Sequence, residues 1–355
     1  MDNKLLTIVI PAYNAEKVLP RCLDSLIIDE ILDCVEVLII NDGSKDNTSN
    51  IAQDYELKYP LFFHVINKDN GNYGSVMNVG LSLANGKYFR SLDSDDWVKK
   101  DGMIKLISSL KDSEADLILT ERIKYYQSNG QEVVYSFDSS LLFDKDLCIN
   151  DTLLDNNSVL SSMVVMSMCY KTSLLRQCSF KWSERVFYSD NEYCYFPMKH
   201  ARTIRLVNEP FYVYYIGDDI QSTSEVSLRK NFQSLNVVTN RIVDDYLSDN
   251  KKYPTQKVLD KVLFRVLRYF YSYLFIDGRI RRKETLHLDR KFKNIGSIYQ
   301  EVGERFKYAG FNVIEAYRIS LFHPKYLFAL LLKQTLENNT IRRLMGLKKK
   351  YKGIA

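Results

Sequence analysis

Three carboxylates within four positions, Asp93, Asp95 and Asp96, close the segment Arg90-Ser-Leu-Asp-Ser-Asp-Asp-Trp97. Like charges held this close together cost stability unless a cation offsets them. Oxygen-only ligands suit Mg2+ or Mn2+, which keep some waters and take further ligands from a phosphate. The same residues would also serve as an acidic turn capping the next helix. A second carboxylate, Asp42 in Asn41-Asp-Gly-Ser-Lys-Asp-Asn-Thr48, stands at the end of an apolar run with no obvious basic partner. It could accept hydrogen bonds from a nucleotide base or ribose. Around it, Gly43 suits a turn and Asp46 or Asn47 a helix cap, which is structure alone. The polar loop 69–78 could present backbone N–H groups to a phosphate. It matches neither the G-x-x-x-x-G-K-[ST] loop nor G-x-G-x-x-G, so P-loop and dinucleotide assignments fail.

These loops must be positioned by the elements between them. Residues 5–10 form a continuous β-branched run stopping at Pro11, the pattern of a strand buried on both faces. Helical spacing follows over 15–28, then a strand over 35–40, a helix over 48–57, a strand over 62–66, a helix over 78–84 and a strand over 88–92. Such alternation predicts a mainly parallel sheet with helices on both faces, an α/β fold. Ligands in such sheets sit beyond the carboxyl ends of strands. Residues 11–14, 41–44 and 93–96 all fall at those ends and are expected to form one site. Further strands are expected over 117–123, 133–137 and 207–215, and helices over 232–246, 255–275 and 298–306.

Taken together, Thr7-Ile-Val-Ile-Pro-Ala-Tyr-Asn14, Val37-Leu-Ile-Ile-Asn-Asp-Gly-Ser-Lys-Asp46, residues 70–80 and Leu92-Asp-Ser-Asp-Asp-Trp97 resemble, in order and spacing, the family 2 glycosyltransferases. The resemblance covers about residues 5–100 and extends more loosely to 225. It implies the GT-A fold, a nucleotide-diphosphate-sugar donor, a divalent metal and inversion at the anomeric carbon. Position by position, it gives Pro11, Tyr13 and Asp42 to the nucleoside, Asp42 near uracil. Asp93 falls near ribose and metal, Asp95 becomes the principal metal ligand, and Asp96 is its neighbour in the nucleotide-sugar site. Asn78 matches the Asn of the family's Ala-Arg-Asn segment, but Met77 stands where Arg is usual. Inverting transfer needs a base for the acceptor hydroxyl. Phe187-Tyr-Ser-Asp-Asn-Glu-Tyr193 resembles the family's later acidic motif, making Asp190 that base, with Ser189 replacing the usual Glu and Glu192 as fallback. Asp190 could instead cap a helix containing Tyr193 and Phe196. Gln221 and Ser222 resemble the loop that closes over the diphosphate, with Asp218 and Asp219 where Arg or His is often found.

Charge divides the chain. Residues 226–355 hold 27 Lys/Arg against 11 Asp/Glu, and residues 1–225 hold 22 against 33. Two regions of opposite sign suggest two jobs: a glycosyltransferase domain at 1–225 and a basic, mostly helical domain at 226–355. Apolar stretches flanked by Lys and Arg at 322–333 and 340–352 suit helices on an anionic membrane surface, or ordinary packing helices with a basic tail. Residues 279–283 are expected as a solvated loop or a contact for acceptor phosphate. No nucleic-acid-binding motif accompanies the charge. The 25 tyrosines suit sugar or interface contacts, so self-association is allowed for. Six cysteines without a CxxC pair, no signal-peptide pattern and no long apolar run lead to the expectation of a reduced, cytoplasmic chain, peripheral at the inner face of the membrane. The reading is an inverting, metal-dependent enzyme moving a sugar, from a UDP donor, to a glycan or lipid-linked acceptor in surface polysaccharide synthesis. The alternative is a non-catalytic nucleotide-sugar-binding scaffold acting through its basic helices. Nucleotidyl transfer to a sugar phosphate would need a Gly-rich, Arg-containing loop after the first strand, which residues 11–14 do not supply.

Overall fold

The apolar run after Lys4 becomes β1 (Leu6–Ala12), and the computed structural model describes residues 4–217, 230–276, 282–305, 307–308 and 311–312 of the chain. β1 pairs in parallel with β2 (Val35–Asn41), β2 with β3 (Phe63–Asn67), and β1 with β4 (Tyr88–Ser91). Their carboxyl ends therefore lie along one edge, as the alternation predicts. The sheet continues through β9 (Met168–Lys171), β6 (Leu117–Tyr126), β10 (Thr203–Ile216) and β5 (Trp97–Val98), in the order β3-β2-β1-β4-β9-β6-β10-β5. Its far side is mixed. β9 runs antiparallel to both β4 and β6, β10 is parallel to β6, and β5 is antiparallel to β10. β7 (Gln131–Tyr135) adds to β6, and β8 (Asp146–Cys148) adds to β10.

Every residue of β2 is buried, as a strand covered on both faces requires. One face of β1 (Leu6, Ile8, Ile10) packs in a cluster with Leu19, Cys22 and Leu23 of α1 (Leu19–Asp24), Ala52 of α2 (Thr48–Lys58) and Met103 and Leu106 of α4 (Lys100–Lys111). The opposite face meets α3 (Asn72–Leu83), where a Cβ on Gly80 would lie 2.6 Å from Val9 Cγ2. Smaller helices follow: α5 (Asp151–Asp155), α6 (Asn157–Ser161), α7 (Thr172–Gln177) and α8 (Asp190–Tyr195).

Three boundaries differ from the expectations for physical reasons. β1 does not stop at Pro11, which keeps register with Ile40 of β2. Val9 O accepts from Leu92 N on the β4 side, so two residues on Pro11 faces the side where β4 has already ended. The missing N–H therefore breaks no ladder bond. The helix expected over 15–28 shrinks to α1, because Pro20 belongs in a first turn rather than an interior. α3 begins at Asn72, six residues before the expected start, and takes in Gly74.

The chain divides into two compact units, residues 1–266 and 267–355. The first also carries α9 (Phe232–Ser248), and α10 spans Gln256–Ile276. In the second, α11 (Arg282–Lys293) and α12 (Ser297–Arg305) are joined through buried Asp289, which accepts from Tyr271 (2.8 Å) and Tyr299 (2.9 Å). A short hairpin pairs β11 (Lys307–Tyr308) with β12 (Phe311–Asn312). Among the described residues no helix is long and apolar enough to cross a membrane. The expectations at 218–222, 279–281, 322–333 and 340–352 lie outside the described residues.

Candidate active site

β4 delivers the acidic turn to the strand-end edge. After Ser91 the chain makes one more bond to β1, Leu92 N to Val9 O, then folds on itself with Asp96 N donating to Asp93 O at 3.1 Å. One carboxylate oxygen from each of Asp93, Asp95 and Asp96 falls within 4.8 Å of the others. The three are not equivalent. Asp96 is fully buried and internally satisfied, accepting from Tyr212 OH at 2.5 Å and Tyr215 N at 2.7 Å. Asp93 is half-buried and Asp95 exposed, so these two are the more accessible of the three. Tyr212 also accepts from Asp93 N at 3.2 Å, which fixes the turn at both ends.

The electrostatics follow from this crowding. Burial, then the charges of Asp95 and Asp190, push the Asp93 carboxyl up to about 7 against the pull of the Tyr212 hydroxyl. Burial, then Asp93 and Asp95, hold Asp96 well above the carboxylate range. Burial also raises Asp95, opposed by its own backbone bond and by Arg21. Arg21 donates to Asp95 O and lies against two adjoining rings, 4.3 Å from Trp97 and 4.5 Å from Tyr215. A hard divalent cation on Asp93 and Asp95 would relieve the mutual repulsion, and the all-oxygen donor set fits it.

Asp190 opens α8 at the same site, since its charge is felt at Asp93. Tyr73 lies near both: burial, then Asp93 and, more weakly, Asp190 raise its hydroxyl, which is hydrogen-bonded with Ser91 Oγ at 3.0 Å. Burial raises Asp190, and Arg265 and the Asn191 amide oppose that rise. Glu192, the fallback base, is excluded by its bonds. It is fully buried and accepts from Ser183 N (2.7 Å), Ser183 Oγ (2.7 Å) and Arg241 Nη1 (2.8 Å).

Asp42 lies at the neighbouring strand end, but it does have a basic partner. Lys68 Nζ donates to it at 2.6 Å, and the backbone amides of Gly71 and Asn72 at 2.9 and 2.8 Å. A carboxylate at the start of α3 is also favoured by the helix dipole. Asp42 thus anchors α3 whatever else it contacts. Gly43, at φ +76°, makes the turn, and a Cβ there would meet Asn70 N at 3.0 Å. Pro11 and the exposed Tyr13 share this edge, where Asn14 N donates to Ser44 Oγ at 3.0 Å and Lys45 N to Asn14 Oδ1 at 2.8 Å. Asn78 faces elsewhere. Its amide donates to Trp182 O (3.0 Å) and Glu184 Oε1 (2.9 Å) and accepts from Trp182 N (3.0 Å), tying α3 to the segment that leads to Asp190. Met77 is fully buried.

Sequence reasoning missed Arg21, Tyr73 and Tyr212. Tyr212 lay inside a predicted strand, but alternation gives a side chain's face and not what its hydroxyl meets. Arg21 and Tyr73 carry no signal in one sequence that separates them from surface residues.

Residues 7–168 match the family described as Glycosyl transferase family 2. Putative glycosyltransferase EpsH of Bacillus subtilis (strain 168) is 31% identical over 131 residues, 37% of this chain and 37% of that protein. Uncharacterized glycosyltransferase MG025 of Mycoplasma genitalium is 43% identical over 105 residues, 29% of this chain and 35% of that protein. Each of these matches spans well under half of the relative's length. The crystal structure of S. aureus TarS 1-349 superposes with a TM-score of 0.59 at 19% identity, covering 99% of this chain and 94% of that one. A second TarS 1-349 structure, in complex with UDP-GlcNAc, gives the same TM-score at 20% identity. At such identities the likeness establishes the fold. Residues 7–168 are thus similar to glycosyl transferase family 2, and the fold is the GT-A fold.

Proposed function

We propose that this chain is an inverting glycosyltransferase that moves a sugar from a nucleotide-diphosphate donor, a UDP-sugar, to a hydroxyl of a glycan or lipid-linked acceptor. The observation that carries the reading is the convergence of Asp190 with Asp93 beside Asp95, a base and an oxygen-donor pair in one site. UDP is favoured because a structural neighbour, TarS, has been crystallised with UDP-GlcNAc and with UDP. A glycan acceptor in polysaccharide synthesis is favoured by relatives such as the chondroitin synthase of Pasteurella multocida, 37% identical over 117 residues but matched over only 12% of its length.

Asp93 and Asp95 would hold Mg2+ or Mn2+, which when bound supplies positive charge against the diphosphate leaving group. Asp96 keeps the turn in shape through Tyr212 and Tyr215. Pro11, Tyr13 and Asp42 line the nucleoside end, and Asp42 can serve there only through whatever its three existing bonds leave free. Asn78 contributes through the 182–184 segment rather than by touching the donor. Asp190 takes the proton from the acceptor hydroxyl as its oxygen bonds to the anomeric carbon and the bond to the diphosphate breaks. A positioned carboxylate base of this kind contributes about 10²–10⁴-fold. Burial raises the Asp190 carboxyl and so strengthens it as a proton acceptor once ionised.

Peripheral membrane contact remains part of the proposal and rests on the composition of residues 322–352 alone. The test is a screen of UDP- and GDP-sugars for nucleotide release with Mn2+, with EDTA, and with Asp95→Asn. Release from a UDP-sugar that stops under both treatments supports the reading. Donor binding without turnover under any condition favours a non-catalytic scaffold.

A further inference from the structure

Three cations converge on one segment without a carboxylate partner among the described residues, and one of them, Arg265, acts on Asp190. Arg122 on β6, and Lys261 and Arg265 one turn apart on α10, all reach the segment 160–167. Arg122 donates to Ser162 Oγ (3.3 Å), Ser167 Oγ (3.2 Å) and Ser161 O (3.3 Å). Lys261 Nζ donates to Leu160 O at 3.0 Å, and Arg265 Nη2 to Met163 O at 3.3 Å. Lys124, two residues along β6, lies with Arg122 against the Tyr135 ring, at 5.1 and 4.4 Å. No carboxylate among the described residues forms an ion pair with Arg122, Lys124, Lys261 or Arg265. Arg241, the other nearby cation, is already paired with Glu192 at 2.8 Å.

Capping of α6 explains part of this. Leu160 O and Ser161 O belong to the last turn of α6, where cations are favoured. Yet one helix end offers only about half a negative charge, against three full positive charges. Asp190, on which Arg265 acts, still leaves a surplus. Two further observations point to a missing anion. Arg122 is 5% exposed, and its Nε is buried with no hydrogen-bond partner. The cations also oppose one another. Burial, then Arg265 and Arg122, bring Lys261 down to about 8, and burial, with Arg265 adding to it, brings Arg122 down to about 10. A group of this kind is costly to assemble unless an anion joins it. Lys261 and Arg265 are only half-buried, so the cluster is reachable from solvent.

We infer that Arg122, Lys261 and Arg265 bind a phosphate group, and that this phosphate belongs to the acceptor. Guanidinium forks and an ammonium around a compact oxyanion give charge-assisted bonds of the strong kind. The assignment to the acceptor rests on the glycosyltransferase reading: Arg265 lies near Asp190, the base that must meet the acceptor hydroxyl, while the donor diphosphate belongs at Asp93 and Asp95. The attacking hydroxyl would then sit close to a phosphate ester on the same molecule.

Binding of inorganic phosphate to the full chain, by calorimetry in EDTA at constant ionic strength, tests this without turnover. Saturable binding to the native chain is expected. A Lys261→Met/Arg265→Met variant should weaken it at least about tenfold, as loss of charge-assisted bonds implies. Arg265→Lys, which keeps the charge, should weaken it less and guards against a misfolded double variant. UDP added to the phosphate complex should bind without displacing phosphate. No saturable phosphate binding, or equal binding by the double variant, overturns the site. Displacement of phosphate by UDP overturns its assignment to the acceptor. Because UDP binding is read in the same titration, loss of phosphate binding with UDP binding intact sinks this inference alone.

Discussion

Tyr212→Phe isolates the contact that shapes the acidic turn. The substitution removes one oxygen and leaves the buried ring in place, so it opens no cavity. The lost hydroxyl donates to Asp96 at 2.5 Å and accepts from Asp93 N at 3.2 Å. Asp96 keeps only the bond from Tyr215 N at 2.7 Å, at a fully buried position. Leaving a buried polar group short of a partner costs about 1–3 kcal/mol, and a fully buried carboxyl that loses one of two bonds falls toward the upper end. For a unit of this size roughly 2 °C of midpoint accompanies each kcal/mol, so a fall of about 3–6 °C is expected. Asp93 and Asp95 lose their support as well, and second-layer losses of this kind weaken metal binding by about 10–100-fold. The assay is thermal unfolding with and without Mn2+, together with the Mn2+ concentration for half-maximal UDP release. A melting change under about 1 °C with unchanged Mn2+ half-saturation would refute the claim that Tyr212 organises the turn.

Three further outcomes can be checked separately. Asp190→Asn should lower kcat by about 10²–10⁴ while leaving UDP affinity near native, the signature of a lost base. Gly74→Ala should destabilise despite alanine's helix preference, because its Cβ would lie 2.0 Å from Ser183 O. Overpacking of this kind costs about 1–3 kcal/mol, and the moved 182–184 segment should lower kcat more than donor binding. Lys199 joins Asp245 (2.7 Å) and Asp249 (2.6 Å). Hydrogen bonds from Lys199, Tyr253 and the Lys251 amide hold Asp249 below its usual 3.8. Its stabilisation is therefore present above that value and fades as pH falls. Lys199 is raised above 10.5 by its bonds to the two aspartates, against the cost of burial, so its share is lost as pH climbs past that value. Lys199→Met should lower stability at neutral pH and flatten both limbs, read by denaturant unfolding across pH.

The parallel half of the fold was legible because β1 and β2 are short runs dominated by β-branched and aliphatic residues, and β4 follows the same strand–helix alternation. Polar loop residues such as Asn14, Asp42 and Asp93 follow within a few positions of each, and parallel pairing forces those ends to one edge. Asp93, Asp95 and Asp190 could be named from residue type and motif order. The contacts that decide their roles could not. Asp42 acquires Lys68 from 26 residues away, and Asp96 acquires Tyr212 from 116. Such pairings depend on how distant strands align, and no local pattern carries that. Asn78 shows the same limit in reverse, since its motif position suggests a ligand while its amide is spent on Trp182 and Glu184. The charge step near 225 is likewise a statement about composition, whereas α9 lies within the compact unit that ends at Val266.

The proposed mechanism needs one divalent cation, held by Asp93 and Asp95, in the same cleft as Asp190. Anomalous diffraction from crystals soaked with Mn2+ and UDP tests it most directly. A single strong peak at Asp93 and Asp95, with the Asp190 carboxylate facing the same cavity, is the expected result. A nucleotide bound with no peak at these carboxylates, or Asp190 opening onto a different cavity, would contradict it.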